Sequence, residues 1–235
     1  LDPRPSFTSP AREVNAVKDV NSMDSYFDRV NYIGAFGSTN WMQGWTALDQ
    51  LGYLGNLPSG NTSIVEISNA DLVEGENYTW STNNTYILKD MVFVKPGSEL
   101  TIEAGTVVKG ALGEGSQATG LVVTRGAKIF AQGTPSNPII FTTELDDLSG
   151  SLTEADRGLW AGVVILGGAP TNNPAEKLVE GVNEIANPSS LAAYGGTNDD
   201  DNSGIFRYVS IRHTGIQVGD VAGNEIQGLT LGGVG

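Results

Sequence analysis

The chain has 235 residues, of which 39% are hydrophobic and 17% charged, and it carries a net charge of −14 from 27 acidic and 13 basic residues. Such a surface disfavours nucleic acid and anionic membranes, since phosphate binding needs clustered Lys and Arg and no basic patch is present. With no cysteine at all, disulfides, thiolate chemistry and thiolate zinc sites are excluded.

The 31 glycines, set against scarce Lys, Arg and Glu, favour strands and turns over helices, so the expected class is all-β. No stretch approaches 18 apolar residues, which argues against membrane insertion by a helix. Leu1-Asp2-Pro3-Arg4-Pro5 has none of the character of a signal peptide. Gly228 to Gly235 stops within a strand-and-turn pattern, so both ends read as cuts.

Residues 1–57 form an irregular, aromatic-rich segment. Pro3, Pro5 and Pro10 keep the opening extended, and Ala11 to Arg29 has the polar-amphipathic character of a helical turn or two. Tyr32, Phe36, Trp41 and Trp45 then cluster. Such rings plug the open end of a core or stack on sugar rings.

From residue 58 to 235 the pattern changes to short strands. Tyr86–Leu88, Met91–Val94, Leu100–Ile102, Thr106–Val108, Leu121–Thr124, Lys128–Ala131 and Ile139–Thr142 are separated by brief breaks such as Pro96-Gly97, Ala104-Gly105 and Arg125-Gly126. Alternation places Val92, Val94, Leu100, Ile102, Val107, Val122, Ile129 and Ile140 in the core. Strands this short and frequent do not suit a sandwich. They suit stacked coils, in which each circuit lays down three strands that pair in parallel with their equivalents one coil away. The expected architecture is a right-handed parallel β-helix.

Later coils carry longer interruptions. Glu144 to Arg157 is a polar insert expected to bulge from the tube, and Leu159–Leu166 is a long apolar strand. Leu178–Val182 is a further strand, and Asn187 to Ser203 holds the densest acidic run. Ile205 to His213 alternates strictly, which puts Phe206 and Tyr208 on the face opposite Ile205, Val209 and Ile211. Glu225–Leu231 is the final strand.

Several segments resemble a group of secreted and cell-surface right-handed β-helix proteins of Bacteroidota. They are Tyr78-Thr79-Trp80, Tyr86-Ile87-Leu88, Leu100 to Gly110, Gly158 to Gly167, Asp201-Asn202-Ser203-Gly204, Arg207 to His213 and Asn224 to Gly232. The resemblance runs from about residue 75 to the end. It implies export, often as cargo of type IX secretion, and a surface or matrix role without an enzymatic activity. In that group a segment like Tyr32–Phe36 with Trp41–Thr46 closes the protein, whereas here it precedes the β-helix. That order implies tandem units, or a piece that caps a neighbour.

Parallel β-helices also host polysaccharide lyases, whose site needs Ca²⁺ on carboxylates with an Arg base nearby. The candidate set is Asp199, Asp200 and Asp201 for Ca²⁺, with Asp200 and Arg207 as a catalytic pair and Arg212 on the same strand. Consecutive strand residues face opposite ways, so the three aspartates serve one ion only if the loop curls, and the plainer reading is a solvated turn. A structural Ca²⁺ stands between the two readings, and no other cofactor is indicated. Asp146, Asp147, Glu154 and Asp156 share one insert and supply a glycosidase carboxylate pair or a solvated loop.

His213, the single histidine, reads as a hydrogen-bonded surface group rather than a general base. Ser210 nearby makes no triad with it, and no Gly-x-Ser-x-Gly elbow exists. Asn61, Asn77 and Asn83 sit in N-x-Ser/Thr patterns, which carry no information if the source is bacterial.

The expected function is an exported structural or adhesive protein, with a carbohydrate-active β-helix enzyme or a glycan-binding module as the alternative. The expected partners are a neighbouring copy or another chain at the exposed end of the β-helix around Leu229 and Leu231, where strand edges lack partners, and glycans.

Overall fold

Short strands bury apolar side chains only by stacking, and this chain stacks them in three walls. The computed structural model describes Met42, Thr46 and residues 63–172 and 176–235. Its strands are β1 (Ser63–Ile67), β2 (Tyr78–Trp80), β3 (Asn84–Leu88), β4 (Met91–Val94), β5 (Glu99–Ile102), β6 (Val107–Gly110), β7 (Gly120–Val123), β8 (Lys128–Gln132), β9 (Ile139–Thr143), β10 (Gly162–Leu166), β11 (Lys177–Leu178), β12 (Ala193–Tyr194), β13 (Gly204–Arg207), β14 (Val209–Ile211) and β15 (Gly228–Gly232), with one short α-helix among the described residues, α1 (Val182–Ile185), and single 3-10 turns at Asn69–Asp71 and Ser189–Ala192.

Wall A runs β1-β3-β6-β9-β14, wall B runs β2-β5-β8-β13, and wall C runs β4-β7-β10-β15. Every pairing within them is parallel and in unbroken register: Tyr86 lies beside Val108, Val108 beside Phe141, and Phe141 beside Ile211. Each circuit therefore visits B, A and C once before stacking on itself, the parallel β-helix that the strand spacing predicts. Among the described strands only β11 and β12 pair antiparallel, outside the walls, and a single antiparallel bridge joins Gln217 to Glu225. The tube begins at or before Ser63, so the boundary expected at residue 58 falls outside the described residues, as do Tyr32, Phe36, Trp41 and Trp45.

Inward residues form one continuous core. Val92, Val94, Leu100, Ile102 and Ile129 belong to it, with Val108, Leu121, Val123, Phe141, Val163 and Ile165. Aromatic rings fill the wider layers: Trp80 stacks on Tyr86 at 5.0 Å, and Phe141 lies between Trp160 and Phe206 at 6.5 and 6.3 Å. The indole N–H of Trp160 donates to the Arg212 carbonyl at 2.7 Å, so the buried ring leaves no polar atom unsatisfied.

Three expected core residues face the other way. Val107 and Ile140 project from wall A and are buried beneath Leu148, while Val122 projects from wall C under Val182, Leu191, Ala192, Val218 and Ile226. The insert at 144–157 leaves most of its residues exposed, but its Leu148 folds back to roof wall A. A second insert, which holds α1, roofs wall C. Wall B keeps an outer face on which Thr79, Thr101 and Ile205 are exposed.

Local backbone accounts for the other departures. Tyr208 adopts φ 48°, so the segment from Ile205 to His213 turns a corner there, leaving β13 in wall B and β14 in wall A. Phe206, Val209 and Ile211 consequently all pack on the core, and Ile205 points outward. The strand expected over Leu159–Leu166 begins at Gly162, and Val182, expected in a strand, opens α1. Gly204, at φ 116°, leaves no space for a side chain against the Ile129 carbonyl of the coil beside it.

Coil length varies while register does not. Tyr78 and Leu100 face each other across a short circuit, Ile129 and Gly204 across one several times longer, and all the added residues sit at the corners. On the last coil Leu229 and Leu231 continue the inward rows of Val163 and Ile165, yet they are 38% and 55% exposed.

Candidate functional site

The acidic loop after β12 does curl, but its one engaged aspartate, Asp201, is taken up by a nearby hydroxyl and the backbone of neighbouring turns. Asp201 accepts the Gly168 N–H at 2.7 Å on one carboxylate oxygen, and the Ser203 hydroxyl at 3.0 Å and the Gly235 N–H at 3.2 Å on the other. Asn198 starts the turn, its side-chain oxygen accepting the Asp200 N–H at 3.2 Å. Asp199 and Asp200 are exposed. No group of three or more His, Asp or Glu placed to hold a metal ion occurs among the described residues. Arg207 is exposed near the end of β13, and Arg212 is buried, its Nε donating to the Ser210 hydroxyl at 2.9 Å.

The insert carboxylates are likewise held locally. Asp147 accepts the Ser149 N–H and the Ser149 and Ser151 hydroxyls. Asp156 accepts both the N–H and the hydroxyl of Thr153. Hydrogen bonds to the charged form hold both carboxyls below the ordinary aspartate range. Asp71 is lowered in the same way by Ser68. Asp90 is the opposite case: burial raises it, although the Asn69 N–H at 2.8 Å partly offsets that.

A buried polar cluster lies under the insert on the outer side of wall A, and sequence patterning gives no sign of it. Asp146, fully buried, accepts the Thr142 hydroxyl at 2.7 Å on one oxygen and the Leu148 N–H at 2.8 Å on the other. Its backbone carbonyl accepts Lys109 Nζ at 2.5 Å. His213 Nε2 lies 3.9 Å from the Asp146 carboxylate, and its Nδ1 meets the Asp156 carbonyl in a short hydrogen bond. The His213 side chain is only 7% exposed, so the expected surface histidine is an interior one. Nδ1–H donates to a carbonyl and Nε2 faces a shielded carboxylate, an arrangement that pins the insert to the last coil and offers no open position for a substrate.

The outer face of wall B is the contrasting surface. Thr79, Thr101, Phe130 and Ile205 follow one another across four strands, because each pairs with the next in register. Glu99 and Lys128 are paired to one side of this row, and Gln132 and Arg207 to the other. Phe130 is half-buried between exposed Thr101 and exposed Ile205.

A family model described as a pectate-lyase-like β-helix domain matches residues 72–235. No curated protein matches the chain, and no solved structure does. The match spans every wall strand from β2 to β15. No helix among the described residues is long and apolar enough to cross a membrane.

Proposed function

The chain belongs to the pectate-lyase-like β-helix family, and from that premise we propose that it is an exported structural or adhesive protein of a cell surface or extracellular matrix, acting as a rigid rod. The observation that carries this reading is how the carboxylates are used. Asp71, Asp90, Glu103, Glu144, Asp146, Asp147, Asp156, Glu184 and Asp201 each accept a backbone N–H at a corner or insert. Charge spent this way stiffens turns and satisfies donors that the walls leave over. A catalyst would need at least two such groups converging on open space. Asp200 and Arg207, the pair with lyase chemistry, are joined by no hydrogen bond or ion pair among the described residues.

The exposed inward leucines of the coil around Leu229 and Leu231 support a further part of the reading, in which a neighbouring copy, another chain or further residues of the same protein cover that end of the tube.

Incubation with neutral and acidic polysaccharides tests the main claim. No new reducing ends and no unsaturated uronate absorbance are expected. Product formation that disappears in Asp200→Ala or Arg207→Ala would overturn the rod reading in favour of a carbohydrate-active enzyme.

A further inference from the structure

We propose that the outer face of wall B is a lateral contact on which a second copy of this chain packs, the two rods lying side by side and antiparallel; this rests on the rod reading and goes beyond it. Inserts roof walls A and C, burying Val107 and Ile140 in one case and Val122 and Val164 in the other. Wall B has no such roof, and Ile205 is 44% exposed beside the half-buried Phe130. Its charges are also unspent. The carboxylates of the corners and inserts accept backbone N–H groups, whereas the side chains of Glu99, Lys128 and Arg207 make no hydrogen bond or ion pair among the described residues.

The order of charge along the rod selects the partner. On one flank of the row Thr79–Thr101–Phe130–Ile205, Glu99 of β5 lies beside Lys128 of β8. On the other flank Glu103 follows β5 and Arg207 ends β13. Both flanks therefore run from acid to base towards the last coil, and the face is balanced in charge on a chain of net charge −14. Copies repel one another over most of their surface, and not here. A two-fold axis lying between the faces along the strand direction, midway between β5 and β8, brings Glu99 of each copy onto Lys128 of the other. The same rotation sets Phe130 against Thr101 and Ile205 against Thr79, so the apolar row is covered along its length. A two-fold axis along the rod would instead put Glu99 against Glu103, so the antiparallel pair is the complementary one. An unrelated partner would need this charge order in reverse, which a second copy supplies by symmetry. Strands stack roughly 4.8 Å apart, so the face from β2 to β13 is only about 14 Å long, and the pairing is a weak one beside interfaces that bury about 800 Å² per partner.

Sedimentation velocity of the full chain tests the pairing, with Leu231→Lys present throughout so that the open coil cannot contribute. Dimers are expected to appear as the concentration rises towards about 1 mM. Glu99→Lys and Lys128→Glu, each added alone, should weaken that dimer about tenfold or more. Mixing these two variants should restore association, because every facing pair then carries opposite charges. Circular dichroism of each variant should match the parent, because both side chains lie outside the core. A protein that stays monomeric throughout this range, a dimer indifferent to both substitutions, or a mixture that associates no better than its components would each overturn the pairing. Its loss leaves the rod reading intact, whereas cleavage of a polysaccharide by the chain removes the rod reading and leaves the pairing.

Discussion

Gly110 and Trp160 occupy adjoining space so closely that a methyl group on Gly110 would lie 2.7 Å from Trp160 Cβ and 2.9 Å from the Thr119 hydroxyl. The indole is fully buried, stacked on Phe141 and held through its N–H, so it has nowhere to retreat. Gly110→Ala should therefore overpack the tube, at a cost of about 1–3 kcal/mol. Denaturant titration followed by Trp fluorescence measures this as a lowered midpoint; an unchanged midpoint would mean that the layer has slack.

Asp146 connects insert and wall by charge-assisted hydrogen bonds rather than by area. Asp146→Asn keeps the shape but turns one acceptor oxygen into a donor, so either the Thr142 hydroxyl or the Leu148 N–H loses its partner. A penalty of about 1–3 kcal/mol is expected. Limited proteolysis should cut between residues 144 and 157 at protease levels that leave the parent whole. Cleavage elsewhere first would locate the weak point away from this cluster.

Acid should act in two opposed ways. The depressed carboxyls of Asp71, Asp147 and Asp156 contribute stability above the ordinary aspartate pKa, and it is lost as pH falls through their lower folded values. The raised carboxyl of Asp90 works in reverse. Its charge is unfavourable above its folded pKa, and the penalty is relieved as pH falls towards the ordinary value. Melting temperature should hold level or rise slightly as pH first falls into the acid range, then drop below pH about 4. In Asp90→Asn the early rise should vanish. A monotonic fall from neutral pH in both proteins would contradict this balance.

If a neighbouring copy covers the last coil, Leu231→Lys should reduce concentration-dependent association. Sedimentation equilibrium of parent and variant gives the comparison, and a parent that stays monomeric at every concentration would remove that part of the proposal.

Sequence made the tube legible because its rule is local. Short apolar alternations punctuated by glycine recur, and Val92, Val94, Leu100, Ile102 and Ile129 all point where period two puts them. It misplaced Val107, Val122 and Ile140 because a roofed wall is apolar on both sides, so alternation carries no sign of direction there. Tyr208 hid a corner inside an unbroken alternating run, since a single left-handed residue leaves no compositional trace. The site was less legible. Asp146 and His213 meet only because the chain between them completes a circuit, and the exposure of Phe130 depends on which wall lacks a roof. The aspartates at 199–201 stood out by density, yet only Asp201 is engaged in holding neighbouring turns, through the backbone of distant Gly168 and Gly235.

Constant register with variable circuit length has a consequence for how such a protein can change. Added residues enter at corners, where each doubling of an open loop costs only about 0.6 kcal/mol, while the ladders on either side keep their partners. The walls are conservative and the corners permissive, so new surfaces can be acquired by lengthening a corner without redesigning the rod. The stretch between β10 and β13, already the longest excursion, is the natural place to graft a foreign recognition segment.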